Sequence, residues 1–128
     1  MDIIITAAIY LINLGKYETA VEYLKKAIAA EEGKGSMDVA IEYTCILGEL
    51  LANMGESDKA RKEFDKVVEY CSRTNSLEKQ RKVAQDFLVE YDRKQKEEYA
   101  KRLEVEIREK PAVSELKTNT TQTSIFLQ

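Results

Sequence analysis

The residues that chemistry would need are mostly absent. The chain of 128 residues has no histidine, which removes the commonest general base and the commonest metal ligand together. Its two cysteines, Cys45 and Cys71, form no Cys-x-x-Cys pair. They read as small buried hydrophobes in a reducing compartment, ahead of a disulfide or a reactive thiol. The carboxylate pairs Glu31-Glu32 and Glu97-Glu98 read as solvated helix ends and faces. Gly33-x-Gly35 lacks the Lys-Ser/Thr that would complete a phosphate loop. Basic residues such as Lys25-Lys26, Arg93-Lys94 and Lys101-Arg102 alternate with acids, and the net charge is −3, which argues against a phosphate backbone as partner. The seven tyrosines lack the basic surround of a stacking platform. The expectation is a protein without catalytic residues, metal, cofactor or nucleic-acid partner.

The elements that would position anything else are helical. Asp2 can cap a first helix, about 3–14, whose Ile3, Ile4, Ile5, Ala7, Ala8, Ile9, Leu11, Ile12 and Leu14 lie nearly all round it. Such a helix is covered on more than one side, here by a missing upstream segment, the C-terminal tail or a second chain. It has no basic leader and falls short of the roughly 20 apolar residues a bilayer span takes, so it reads as a buried helix. Gly15-Lys16 turns the chain into a second helix, about 17–31, with Tyr17, Ala20, Val21, Leu24, Ala27 and Ile28 on one stripe. A loop at 31–36 leads to a third, about 37–53, with Gly33 ending the second and Ser36 capping the third. Gly48 lies inside that third helix, where glycine implies close approach of another backbone. Gly55 turns the chain again, Ser57 caps a fourth helix at about 58–71, and Asn75 with Glu78 has capping-box spacing. A long helix, about 76–109, follows. After Pro111 comes a Thr-rich tail, 111–128, ending in Ile125-Phe126-Leu127, that reads as flexible or docked in a groove. Residues 1–110 are expected to form one domain.

One feature repeats. Gly15, Ala20, Leu24 and Ala27 recur forty residues later as Gly55, Ala60, Phe64 and Val67. Self-similarity at a fixed period marks helix-turn-helix arrays. The small residues let paired helices close, and Tyr17, Leu24 and Phe64 fill the gap between pairs. The spacing resembles the tetratricopeptide repeat over about 4–70, with Leu47-Gly48 matching the family's first-helix Leu-Gly and Ala7-Ala8 its weaker counterpart. It departs from the family in a period of forty instead of thirty-four, with the excess around 31–36, in the lack of a closing Pro, and in Val67 where a small residue is usual. A narrower resemblance is to the helical C-terminal half of an uncharacterised bacterial family with a cysteine-rich N-terminal part. It would make this chain a fragment.

The resemblance implies an all-α array of two helix hairpins plus a long capping helix. It also implies that first helices line a groove. The equivalent positions are Ile5, Ile9, Ile12 and Asn13, then Cys45, Glu49, Ala52 and Asn53. Ile5, Ile9, Cys45 and Glu49 do not fit the Lys and Asn clamp by which some members hold a terminal carboxylate. The groove would take an apolar helix or extended peptide, although its isoleucines read equally as core or dimer interface. The expected function is a cytoplasmic, non-enzymatic protein-interaction scaffold. The alternative is a homodimer paired through the first helix or the Leu103–Ile107 patch. No membrane partner is expected.

Overall fold

The computed structural model describes residues 3–109. They form five helices and no strand: α1 (Ile3–Asn13), α2 (Tyr17–Gly33), α3 (Met37–Asn53), α4 (Ser57–Thr74) and α5 (Glu78–Arg108). This is the expected all-α array of hairpins with a long C-terminal helix. The cap expected from Asp2, and everything expected of the chain after Pro111, lie outside the described residues.

The turns share one construction at twenty-residue intervals. Gly15, Gly35 and Gly55 have φ of 79°, 81° and 83°, and Asn75 has 55°. Only glycine, and less readily asparagine, holds that left-handed backbone cheaply. The next residue then bonds back to close the helix end. The N–H groups of Lys16, Ser36 and Glu56 donate to the carbonyls of Leu11, Glu31 and Leu51, each at 2.9 Å, and Ser76 donates to Cys71 at 3.2 Å. Four residues on, Ala20, Ala40 and Ala60 start the following helices by donating to the carbonyls of Lys16, Ser36 and Glu56. All three alanines are buried.

This corrects the expected caps. Asn75 ends α4 and caps nothing beyond it. Ser36 precedes α3 but makes no side-chain capping bond. Ser57 is the first residue of α4, behind Glu56. The excess around 31–36 is helix as well as loop, since α2 runs on to Gly33 and α3 starts at Met37.

The chain divides into two compact units, Met1–Tyr91 and Asp92–Gln128. In the first, α1 packs on α2, α2 on α3 and α3 on α4. Burial repeats with the sequence: Ala20, Leu24 and Ala27 of α2 and Ala60, Phe64 and Val67 of α4 are each at most 1 % exposed. Gly48 is a point of close approach as expected, but to a side chain and not to another backbone. A Cβ on Gly48 would stand 2.9 Å from the Phe64 ring, so the glycine makes room for a phenylalanine side chain. The start of α5 joins this core. Ala84 is fully buried, and the Phe87 and Phe64 rings lie 4.8 Å apart at a tilt. Tyr91 donates its phenol to Asp58.

Glu31 departs from the solvated reading. It sits in the core position that Cys71 fills forty residues later, 6 % exposed, with its carboxylate 3.3 Å from the Lys34 ammonium. In the second unit every described residue is exposed.

Candidate interaction surface

The surface is built by the first helices of the pairs, and the start of α5 continues their forty-residue spacing. Ala84, Phe87, Leu88 and Tyr91 fall forty residues after Thr44, Leu47, Gly48 and Leu51. All eight are buried or half-buried, so the start of α5 repeats the burial pattern of α3. Two recesses follow the line between these helices. One, of about 260 Å3, is lined by Glu49, Ala52 and Asn53 with Val83 and Phe87 over Phe64. The other, of about 390 Å3, is lined by Glu42, Tyr43, Cys45, Ile46 and Glu49 with Lys79, Gln80 and Val83. They share Glu49 and Val83, which makes them one furrow.

The expected groove residues divide. Ile5 and Cys45 are 2 % and 4 % exposed and belong to the core, Cys45 also standing at the wall of the second recess. Ile9, Asn13, Glu49 and Asn53 are exposed, and Ile12 and Ala52 half-buried. The forty-residue register aligns Ile9, Glu49 and Val89, which places an exposed isoleucine and an exposed valine on either side of a carboxylate. Val89 is 70 % exposed. The sequence reading missed Val83, Phe87 and Val89 as site residues because it treated α5 as a cap. The signal was present in the continued spacing from Tyr43 and Leu47 to Val83 and Phe87.

The electrostatics suit contact better than reaction. Burial, then the nearby Glu49 charge, push the Cys45 thiol up to about 12, and burial also raises Cys71. A thiol held protonated is a poor nucleophile. Both cysteines are free and buried. Tyr70 donates its phenol to Asp38, and that bond, like the Tyr91–Asp58 one, raises the phenol pKa. Among the described residues no cluster of three His, Cys, Asp or Glu could hold a metal ion, and no helix is long and apolar enough to cross a membrane.

No curated protein and no solved structure matches the chain. A family model for the tetratricopeptide repeat matches residues 4–34 and 41–74, about half of the sequence. The second match begins inside α3, so its first turn, with the left-handed Gly35 before it, holds the residues that lengthen the period to forty. With glycine turns, small-residue contacts and helix order all in the family's register, this chain belongs to the tetratricopeptide repeat family, whose repeats generally mediate protein–protein interaction and are typically non-catalytic.

Proposed function

We propose that this protein is a non-enzymatic scaffold that holds a partner helix or extended peptide across the first-helix faces of α1, α3 and α5. The observation that carries it is the row Ile9, Glu49, Val89 beside the furrow floored by Phe64, Val83 and Phe87. Apolar side chains of the partner would enter the furrow, and a basic residue between them would meet Glu49. Such a surface binds by burying apolar area on a pre-formed frame, with the charge fixing register. We place it in the cytoplasm, where two buried thiols stay reduced, and assign it no nucleic-acid partner on its net charge of −3.

The test is selection of peptide ligands from a displayed library, followed by binding measurements on variants. The expected ligands carry a basic residue flanked by apolar ones. Glu49→Lys and Val89→Asp should each weaken binding about tenfold or more, roughly 1.4 kcal/mol, without loss of helicity. Ligands indifferent to Ile9→Asp, Glu49→Lys and Val89→Asp alike would overturn the reading.

A second reading is self-association. The observation favouring it is the exposed apolar surface outside the furrow: Ile3 at 81 % and Tyr10 at 64 % on α1, and Tyr99 at 58 % and Ile107 at 64 % on α5.

A further inference from the structure

The chain makes one side-chain bond twice and lacks its donor at a third, equivalent place. Three acids, Glu18, Asp38 and Asp58, stand three residues after the turn glycines Gly15, Gly35 and Gly55. Two of them accept from a tyrosine far along the sequence: Tyr70 donates its phenol to Asp38, and Tyr91 donates to Asp58. An arginine lies over each ring, Arg73 at 5.3 Å from the centre of Tyr70 and Arg61 at 5.8 Å from that of Tyr91. Glu18 meets no such donor, because its counterpart to Tyr91 is a leucine. Leu51, Glu18 and Val21 stand forty residues before Tyr91, Asp58 and Arg61. All three earlier residues line a recess of about 350 Å3 bounded by α2, the end of α3 and α4. Leucine is shorter than tyrosine and has no hydroxyl, so Leu51 leaves the recess where Tyr91 fills its own place. Met54 is in the same lining, and its thioether packs favourably on aromatic rings. The recess shares no lining residue with the furrow between α3 and α5.

We infer that this recess binds a tyrosine side chain of a partner protein, with the ring on Val21, Leu51 and Met54 and the hydroxyl donated to Glu18. It is a second contact point, separate from the furrow. The occupant is selected by what the chain itself places at the equivalent positions. A phenol has an apolar body and a polar tip, which suits an apolar floor with a carboxylate at its edge. Its bond to a carboxylate is charge-assisted and stronger than one between neutral groups. Val21 stands where Arg61 covers the ring of Tyr91, so an apolar contact takes the place of the cation there. The lining holds four glutamates against three lysines. A phosphorylated tyrosine adds up to about two negative charges and loses the donor, so the unmodified phenol is the better fit. The chain's own C-terminal segment does not supply it, since no tyrosine follows Tyr99.

The experiment is a titration of the isotope-labelled full chain, followed by amide NMR shifts, with the peptide acetyl-Ala-Ala-Tyr-Ala-Ala-amide and its phenylalanine and phosphotyrosine versions. The tyrosine peptide should shift the amides of Glu18, Val21, Leu51 and Met54. It should bind about tenfold more tightly than the phenylalanine peptide, as expected for a hydrogen bond to a charged acceptor, and more tightly than the phosphotyrosine one. Leu51→Tyr supplies the missing phenol within the chain and should abolish binding. Glu18→Gln, at an exposed residue, keeps the test open if the larger side chain unfolds the protein. It should bring the tyrosine and phenylalanine peptides close together in affinity at unchanged helicity. Equal binding of those two peptides to the wild type overturns the inference, because Glu18 then has no part. Tighter binding of the phosphotyrosine peptide overturns it by giving the recess to a phosphate and the lysines. Absence of shifts at these amides with every peptide overturns it outright. Shifts of the same amides on diluting the chain alone would give the recess to a tyrosine of a second copy and overturn the partner assignment. None of these outcomes bears on peptide binding at Glu49, so the furrow reading stands or falls separately.

Discussion

The two hairpins solve one packing problem with different residue pairs. At the tightest point of the second, glycine at 48 faces phenylalanine at 64, and a Cβ there would sit 2.9 Å from the ring. The equivalent positions in the first hairpin are Ala8 and Leu24, both fully buried. The first helix gains a Cβ where the second helix carries the smaller leucine, and the larger ring appears where the first helix has none. Gly48→Ala should therefore destabilise the fold by about 1–3 kcal/mol of overpacking, set against roughly 1 kcal/mol gained in helix propensity. Adding Phe64→Leu recreates the first hairpin's pair and should recover part of the loss. A double-mutant cycle by urea denaturation measures this as a coupling between the two sites. Independent, additive effects would mean that the ring relaxes without strain and that the exchange is incidental.

At the scale of elements, α5 is the helix the sequence describes least plainly. The others are announced by glycine, then alanine five residues on, at 15 and 20, 35 and 40, and 55 and 60. Their periodic apolar stripes carried the fold class and the turn positions, although the middle pair went unused because the forty-residue copy drew attention to alternate turns only. Before α5 the marker is Asn75, and Gln80 stands where alanine would. The spacing from Tyr43 and Leu47 to Val83 and Phe87 hints at its place beside α4, and the contacts of Phe87 on Phe64 and Tyr91 on Asp58 make that place plain. The burial of Ile5 and Cys45 has a related cause. A helix face can be read from spacing, but which of its edges is covered depends on how closely its neighbours approach. Phe87 closes the furrow and shields the Phe64 ring. Phe87→Ala should thus cost about 2–3 kcal/mol, below the usual range for a fully buried ring because this one is half-buried. Ending the chain after Tyr91 removes the second unit and none of these contacts, so the shortened protein should keep its unfolding midpoint. A large drop in that midpoint would show that α5 depends on its later turns.

For the whole molecule, the absence of histidine and the direction of the perturbed groups together set the pH response. No side chain titrates near neutrality by its ordinary value, so stability should be nearly flat from about pH 5.5 to 8. On the alkaline side four groups act together. Burial lifts Cys45 from an ordinary 9.0 to about 12 and raises Cys71, while bonds to Asp38 and Asp58 raise Tyr70 and Tyr91 above 10.0. Each is higher in the folded chain than in the unfolded one. As pH rises past 9 the unfolded state releases these protons first and binds fewer of them, so the stability they contribute declines and is lost once pH passes their folded values. Urea midpoints measured from pH 6 to 11.5 should hold level and then fall. Cys45→Ala removes the thiol that burial lifts to about 12 and should make the fall shallower between 9 and 11.5, whereas Tyr70→Phe should act only above about 10. A midpoint that fell between pH 6 and 8 would overturn this reading, because it would require a group titrating near neutrality.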